Sequence, residues 1–122
     1  CHAQGIEFRE WNAGTRIDAH MKDPGFNISI KLDPETGVVY GGNEHNCGTW
    51  MDKMGSSEKA GNRGKPATPR DGAPIELVGL QKSTLRWLAD RYREGEYPYR
   101  SVTVNGEILH FSEWEGRLQQ SF

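Results

Sequence analysis

Cysteine is nearly missing from this 122-residue chain, which has only Cys1 and Cys47. Two thiols so placed are too few for a disulfide framework or a four-ligand zinc site, and a reducing, cytoplasmic setting is expected. Packing residues are scarce as well. Hydrophobic residues make up 34% of the chain, and it reaches the usual apolar share of about 45–50% only when its 15 glycines are counted. A chain of this size normally buries about two-thirds of its surface, so the thin supply predicts faces that pack against polypeptide outside it. No apolar run approaches the roughly 18 residues of a membrane span, and the start has no signal-peptide pattern. Charge of one sign is lacking too: 15 Lys and Arg mix with 17 Asp and Glu for a net −2. That argues against an electrostatic grip on nucleic acid or an anionic membrane and favours a neutral partner. Beginning at Cys1 without an initiator Met, the chain reads as an excised piece.

What is present is ordered by local signals. Positions 1–23, with Ile6, Phe8, Trp11 and Ile17 among charged residues, hold neither helical nor alternating spacing for long and read as surface loop with one or two apolar anchors. Phe26, Ile28, Ile30 and Leu32 then alternate with polar residues, the period of a half-buried strand. Asp33-Pro34-Glu35-Thr36-Gly37 supplies a turn and Val38-Val39-Tyr40 a return strand, closed by Gly41-Gly42. A long loop follows to about Gly72, its small, polar middle expected to be mobile and its flanks ordered. Pro74 suits a helix start and Gly95 a stop, with Leu77, Leu80 or Gln81, Thr84, Leu85, Leu88 and Tyr92 at helical spacing between them. Val78 and Trp87 widen that stripe, which is expected to pack against neighbouring helices. Asn105-Gly106 between β-formers predicts a second hairpin. Ser112 and Glu115 read as a capping box for a last helix with Trp114, Leu118 and Phe122 on one stripe.

Chemistry concentrates in the long loop, in Asn46-Cys47-Gly48-Thr49-Trp50-Met51-Asp52-Lys53-Met54-Gly55 and in Pro66-Ala67-Thr68-Pro69-Arg70-Asp71-Gly72. A carboxyl beside Trp and Met can be desolvated and hold its proton at neutral pH, the condition for general-acid work on a glycosidic oxygen. Asp52 is the candidate. Trp50 offers an apolar face to a sugar ring, and Arg70 a planar fork of donors. The plain alternatives are a solvated turn Asp, core roles for Trp50 and Met51, an Arg70–Asp71 surface pair, and Glu76 simply favouring a helix N-terminus. His45 has only Cys47 at ligand spacing, so a metal is not expected.

Those two stretches, with Asn62-Arg63-Gly64 between them and Ile75-Glu76-Leu77-Val78-Gly79-Leu80 after them, closely resemble the glucosidase domain of eukaryotic glycogen debranching enzymes. The likeness extends to Phe8-Arg9-Glu10, Met21-Lys22-Asp23, Gly25-Phe26-Asn27-Ile28, Val39-Tyr40-Gly41-Gly42-Asn43 and Phe111-Ser112-Glu113-Trp114, and so covers essentially the whole chain. It implies a mixed, mainly α fold: a sector of an (α/α)6 barrel, undivided from 1 to 122, with β-hairpin decorations and a long active-site loop. It also implies an amylo-α-1,6-glucosidase that releases the single glucose at a branch point with inversion. The parent would carry a 4-α-glucanotransferase in its other half, act on glycogen or limit dextrin, and need no cofactor. By the same resemblance Asp52 is the general acid. Trp50, Arg70, Glu76 and, less directly, Asp71 are candidate sugar ligands. The catalytic base has no counterpart here, so the isolated piece is expected to be inactive. The competing reading is a non-catalytic glucan-binding or scaffold segment; a bacterial or archaeal relative fits less well because of the Ser56–Lys65 insert.

Overall fold

The computed structural model describes residues 2–11, 19, 26–42, 55–65 and 71–121. Along the chain a short 3₁₀ turn (His2–Gln4) precedes strands β1 (Ile6–Glu10), β2 (Phe26–Leu32) and β3 (Val39–Gly41). Helix α1 (Ile75–Arg93), strands β4 (Ser101–Val104) and β5 (Glu107–His110) and helix α2 (Phe111–Ser121) follow. Two compact units share these elements, one of Cys1–Gly5, Lys31–Tyr40 and Ala73–Phe122, the other of Ile6–Ile30 and Gly41–Gly72. Neither is a continuous stretch.

The first unit holds the core. Val78 and Leu85 of α1 meet Phe111, Trp114 and Leu118 of α2 and Leu109 of β5, with Leu32, Val38, Val39, Leu88, Val102 and Val104 packed around them. The 19-residue helix starts after Pro74, whose missing N–H costs nothing there, and ends with Gly95 at positive φ. Glu96 and Tyr97 amides then donate to Arg91 O, capping the last turn. At the hairpin, Asn105 and Gly106 both take positive φ, and Val102 pairs with Leu109 and Val104 with Glu107. Helix α2 clamps the Asp33–Val38 turn. Trp114 Nε1 donates to Gly37 O at 2.6 Å, Gln81 Nε2 of α1 donates to the same oxygen at 2.8 Å, and Arg117 Nη1 donates to Pro34 O at 2.5 Å. A Cβ on Gly37 would stand 2.9 Å from the Trp114 ring, so only glycine admits the indole. Inside the turn the Thr36 hydroxyl, then the Glu35 amide, hold the Asp33 carboxyl below the ordinary carboxylate value of 3.8.

The second unit carries β1 paired antiparallel with β2, Ile6 opposite Ile30 and Phe8 opposite Ile28. On the other face Arg9 Nη1 donates to Asn27 Oδ1 at 3.0 Å. Together with β3 the strands lie in the order β1-β2-β3.

Four expectations need correction. The fold is not recognisable as a sector of an (α/α)6 barrel. Among the described residues there are two α-helices and two antiparallel sheets, and the β4–β5 hairpin is no decoration, since Leu109 belongs to the core and Val102 and Val104 pack against it. The α1 stripe is narrower than its periodicity suggests: Leu80 is 63% and Trp87 57% exposed, the half-buried Gln81 takes the inward place that Leu80 or Gln81 could have held, and Val78 and Leu85 pack against α2 and Leu109. Residues 6–10 are a strand rather than loop; five residues are too short for a periodic signal, and β2 supplies the partner. Finally, α2 begins at Phe111, one residue before Ser112, and Glu115 accepts from Lys82 of α1 in a half-buried ion pair instead of closing a capping box.

Candidate active-site loop

The chemistry-bearing segment leaves β3 and returns to α1, and two backbone ties shape it. At its base Gly41 N donates to Gly72 O at 3.0 Å, in an isolated antiparallel bridge. Further out Gly55 N donates to Lys65 O at 2.8 Å and Gly64 N to Gly55 O at 2.9 Å, in a parallel bridge between Gly55 and Arg63.

Between those outer ties residues 55–65 fold on themselves. Asn62 organises the turn: its Oδ1 accepts from Ser57 N at 3.0 Å, its own amide donates to Ser57 O at 3.2 Å, and its carbonyl accepts from Lys65 N at 3.0 Å. Ser57 Oγ accepts from Ala60 N at 3.0 Å, Gly61 N donates to Glu58 O at 3.0 Å, and Arg63 Nη1 meets Glu58 Oε1 at 2.9 Å. This is a compact Ω-type loop whose backbone is satisfied by its own side chains and carbonyls.

Among the sequence-predicted site residues, Asp71 is exposed beside the base tie and belongs to the second unit. Glu76 lies in the first turn of α1, in the first unit, where a carboxylate is favoured by the helix dipole. It is half-buried, and its Oε1 is shielded from solvent with no hydrogen-bond partner among the described residues. A buried carboxylate oxygen left open is an acceptor that a hydroxyl-bearing ligand can fill. Asp52, Trp50 and Arg70, like His45, Cys47 and Cys1, lie outside the described residues. Among the described residues no cluster of His, Cys, Asp or Glu suits a metal ion, and no helix is long and apolar enough to cross a membrane.

Sequence reading named Asn62 and Gly55 only within the stretches that carry the resemblance and read no structural part for either. The signal was there in part: an Asn between two glycine-containing turns is the residue type that bonds neighbouring backbone and tolerates tight turns. Nothing local reveals that its partner is Ser57 or that Gly55 packs against it.

Residues 1–122 match the amylo-alpha-1,6-glucosidase family. The chain is 52% identical over 122 residues to the glycogen debranching enzyme of Saccharomyces cerevisiae, covering 99% of this chain and 8% of that protein.

Proposed function

The chain belongs to the amylo-alpha-1,6-glucosidase family, and on that premise we propose that it carries the acid half of a glycosidase site that removes α-1,6-linked glucose at glycogen branch points. What carries the proposal is the family match over the full chain, joined to the Thr49-Trp50-Met51-Asp52 stretch and its chemistry. Since the chain spans about 8% of its relative's length, the reaction belongs to the parent protein.

Inverting hydrolysis needs two carboxyl groups about 6.5–9.5 Å apart, one protonating the leaving oxygen and one drawing a proton from the attacking water. Asp52 takes the first role. Its proton passes to the glycosidic oxygen as the C–O bond breaks, while water adds to the opposite face of the anomeric carbon, activated by a base from elsewhere in the parent. Trp50 supplies an aromatic wall, and Arg70 and Glu76 bond glucose hydroxyls, with Asp71 orienting Arg70 or joining them. The open acceptor at Glu76 Oε1 supports its part. The parent is cytoplasmic, acts on glycogen or limit dextrin without a cofactor, and carries the 4-α-glucanotransferase in its other half.

The test is glucose release from a phosphorylase-limit dextrin by the full-length parent, wild type against Asp52→Asn. Loss of an acid of this kind costs about 10²–10⁴-fold, with glycogen binding little changed. Near-normal release by the variant would move the acid elsewhere. No release by the wild type would favour a non-catalytic glucan-binding segment.

A further inference from the structure

We propose that the polar face of the β1–β2 pair is a carbohydrate-binding platform, on which Trp11 stacks a sugar ring of an α-glucan chain while Arg9, Asn27, Glu7 and Ser29 reach its hydroxyls. The inference rests on the reading of the parent as an enzyme that acts on glycogen, and it does not use the acid assignment.

Alternation sorts the side chains of the two strands. Ile6 and Phe8 lie opposite Ile30 and Ile28 on one face, and Glu7 and Arg9 lie opposite Ser29 and Asn27 on the other. Trp11, two residues past Arg9, continues the second row, and all five residues belong to the second unit. A large ring is out of place among such polar neighbours, yet Trp11 is 61% exposed. It is nonetheless held. Arg9 Cζ lies 4.7 Å from the ring centroid, inside the roughly 6 Å reach of a cation–π contact. Across the strands Arg9 Nη1 donates to Asn27 Oδ1 at 3.0 Å, and one pair along Ser29 Oγ donates to Glu7 Oε1 at 3.4 Å. With the guanidinium backing one side of the indole, its open surface lies mostly on the other.

The chemistry of this row selects its ligand. The C–H face of a hexose stacks on an indole, and the hydroxyls around its rim need both donors and acceptors. Here guanidinium and carboxamide nitrogens donate, the Glu7 carboxylate accepts, and the Ser29 hydroxyl does either. A nucleotide chain would stack on the same ring but needs cations for its phosphates, and over these five residues the charges of Arg9 and Glu7 cancel. A neutral polyol makes no such demand. Because Arg9 already fixes the ring, little freedom is lost when a ligand lands. From Glu7 to Trp11 the row runs about 13 Å, at about 3.3 Å per residue, which is longer than one sugar ring and fits a chain.

The experiment is affinity electrophoresis of the full-length parent in native gels containing glycogen, with a thermal midpoint for each variant. Trp11→Ala is expected to weaken retardation by glycogen about 3- to 10-fold, the range that an aromatic contact supplies, with the midpoint at its wild-type value because the ring is exposed. Trp11→Phe keeps a planar ring and recovers most of the retardation. Trp87→Ala removes an indole of similar exposure, 57%, from α1 and leaves retardation unchanged. Should Trp11→Ala fail to fold, Trp11→Leu, apolar but without a ring, takes its place against Trp11→Phe. Wild-type retardation of Trp11→Ala overturns the proposal, as does an equal loss in Trp87→Ala or a Trp11→Phe no better than Trp11→Ala. A lowered midpoint in Trp11→Ala with retardation intact means that the parent's own polypeptide covers this face, and overturns it too. Weakened retardation supports the platform even where Asp52→Asn still releases glucose. A wild type that glycogen does not retard removes the glycogen reading and the platform together.

Discussion

Replacing Trp114 by Phe and Gln81 by Leu, singly and together, probes the point where both helices grip the Asp33–Val38 turn. Gly37 O is buried and accepts two hydrogen bonds, from Trp114 Nε1 at 2.6 Å and Gln81 Nε2 at 2.8 Å. Either donor alone satisfies it. Trp114→Phe loses one bond, worth about 1 kcal/mol, and leaves a gap where the larger ring stood, worth about 1–2 kcal/mol more. Gln81→Leu loses the other bond and also strips Val39 N of its acceptor, Gln81 Oε1 at 3.3 Å. An orphaned amide costs about 1–3 kcal/mol, so this variant is expected to fall by about 2–4 kcal/mol. In the double variant Gly37 O has neither donor, and its desolvation adds about 1–3 kcal/mol that neither single change incurs. Urea unfolding of the 122-residue chain, followed by far-ultraviolet circular dichroism, gives the cycle. Losses that add within about 0.5 kcal/mol would show that the carbonyl is not shared and refute the reasoning.

Leu118, wholly buried at 0% exposure, is expected to cost about 2–5 kcal/mol on truncation to Ala, read from the same unfolding curves. Lys82→Met leaves Glu115, about one-fifth exposed, without its cation and should lower stability by about 1–3 kcal/mol; adding Glu115→Gln should recover most of that, and failure to recover would mean the ion pair contributes nothing. Asp33 has a folded-state pKa below its unfolded one, so its charge contributes stability above the ordinary value of 3.8 that disappears as pH falls through the folded value. The difference in thermal midpoint between wild type and Asp33→Asn should therefore shrink as pH drops below about 3.8, and a difference that grows with acid would contradict the assignment.

The candidate site rests on residue types and their order, not on geometry. Asp52, Trp50 and Arg70 stand out because an acid, an indole and a guanidinium share one Gly- and Pro-punctuated loop, and those three lie outside the described residues. Glu76 was named from sequence, but its unpartnered Oε1 is a property of packing. The close approach of Gly55 to Asn62 was illegible because it depends on how the loop folds back on itself.

By itself the sequence determined the elements whose cause is local. Pro74 lacks an N–H and Gly95 tolerates positive φ, so α1 begins and ends where they stand; Asn105 and Gly106 accept the φ values of a tight hairpin; Asp33 and Thr36 bond within their own turn. Tertiary structure alone decided matters that depend on a partner distant in the chain. Residues 6–10 become a strand because β2 satisfies their backbone, and Trp114 is buried while Trp87 is exposed because Gly37 lies against one indole and not the other. A backbone constraint belongs to one residue and can be read from it, whereas burial and hydrogen-bond satisfaction belong to pairs that only folding brings together.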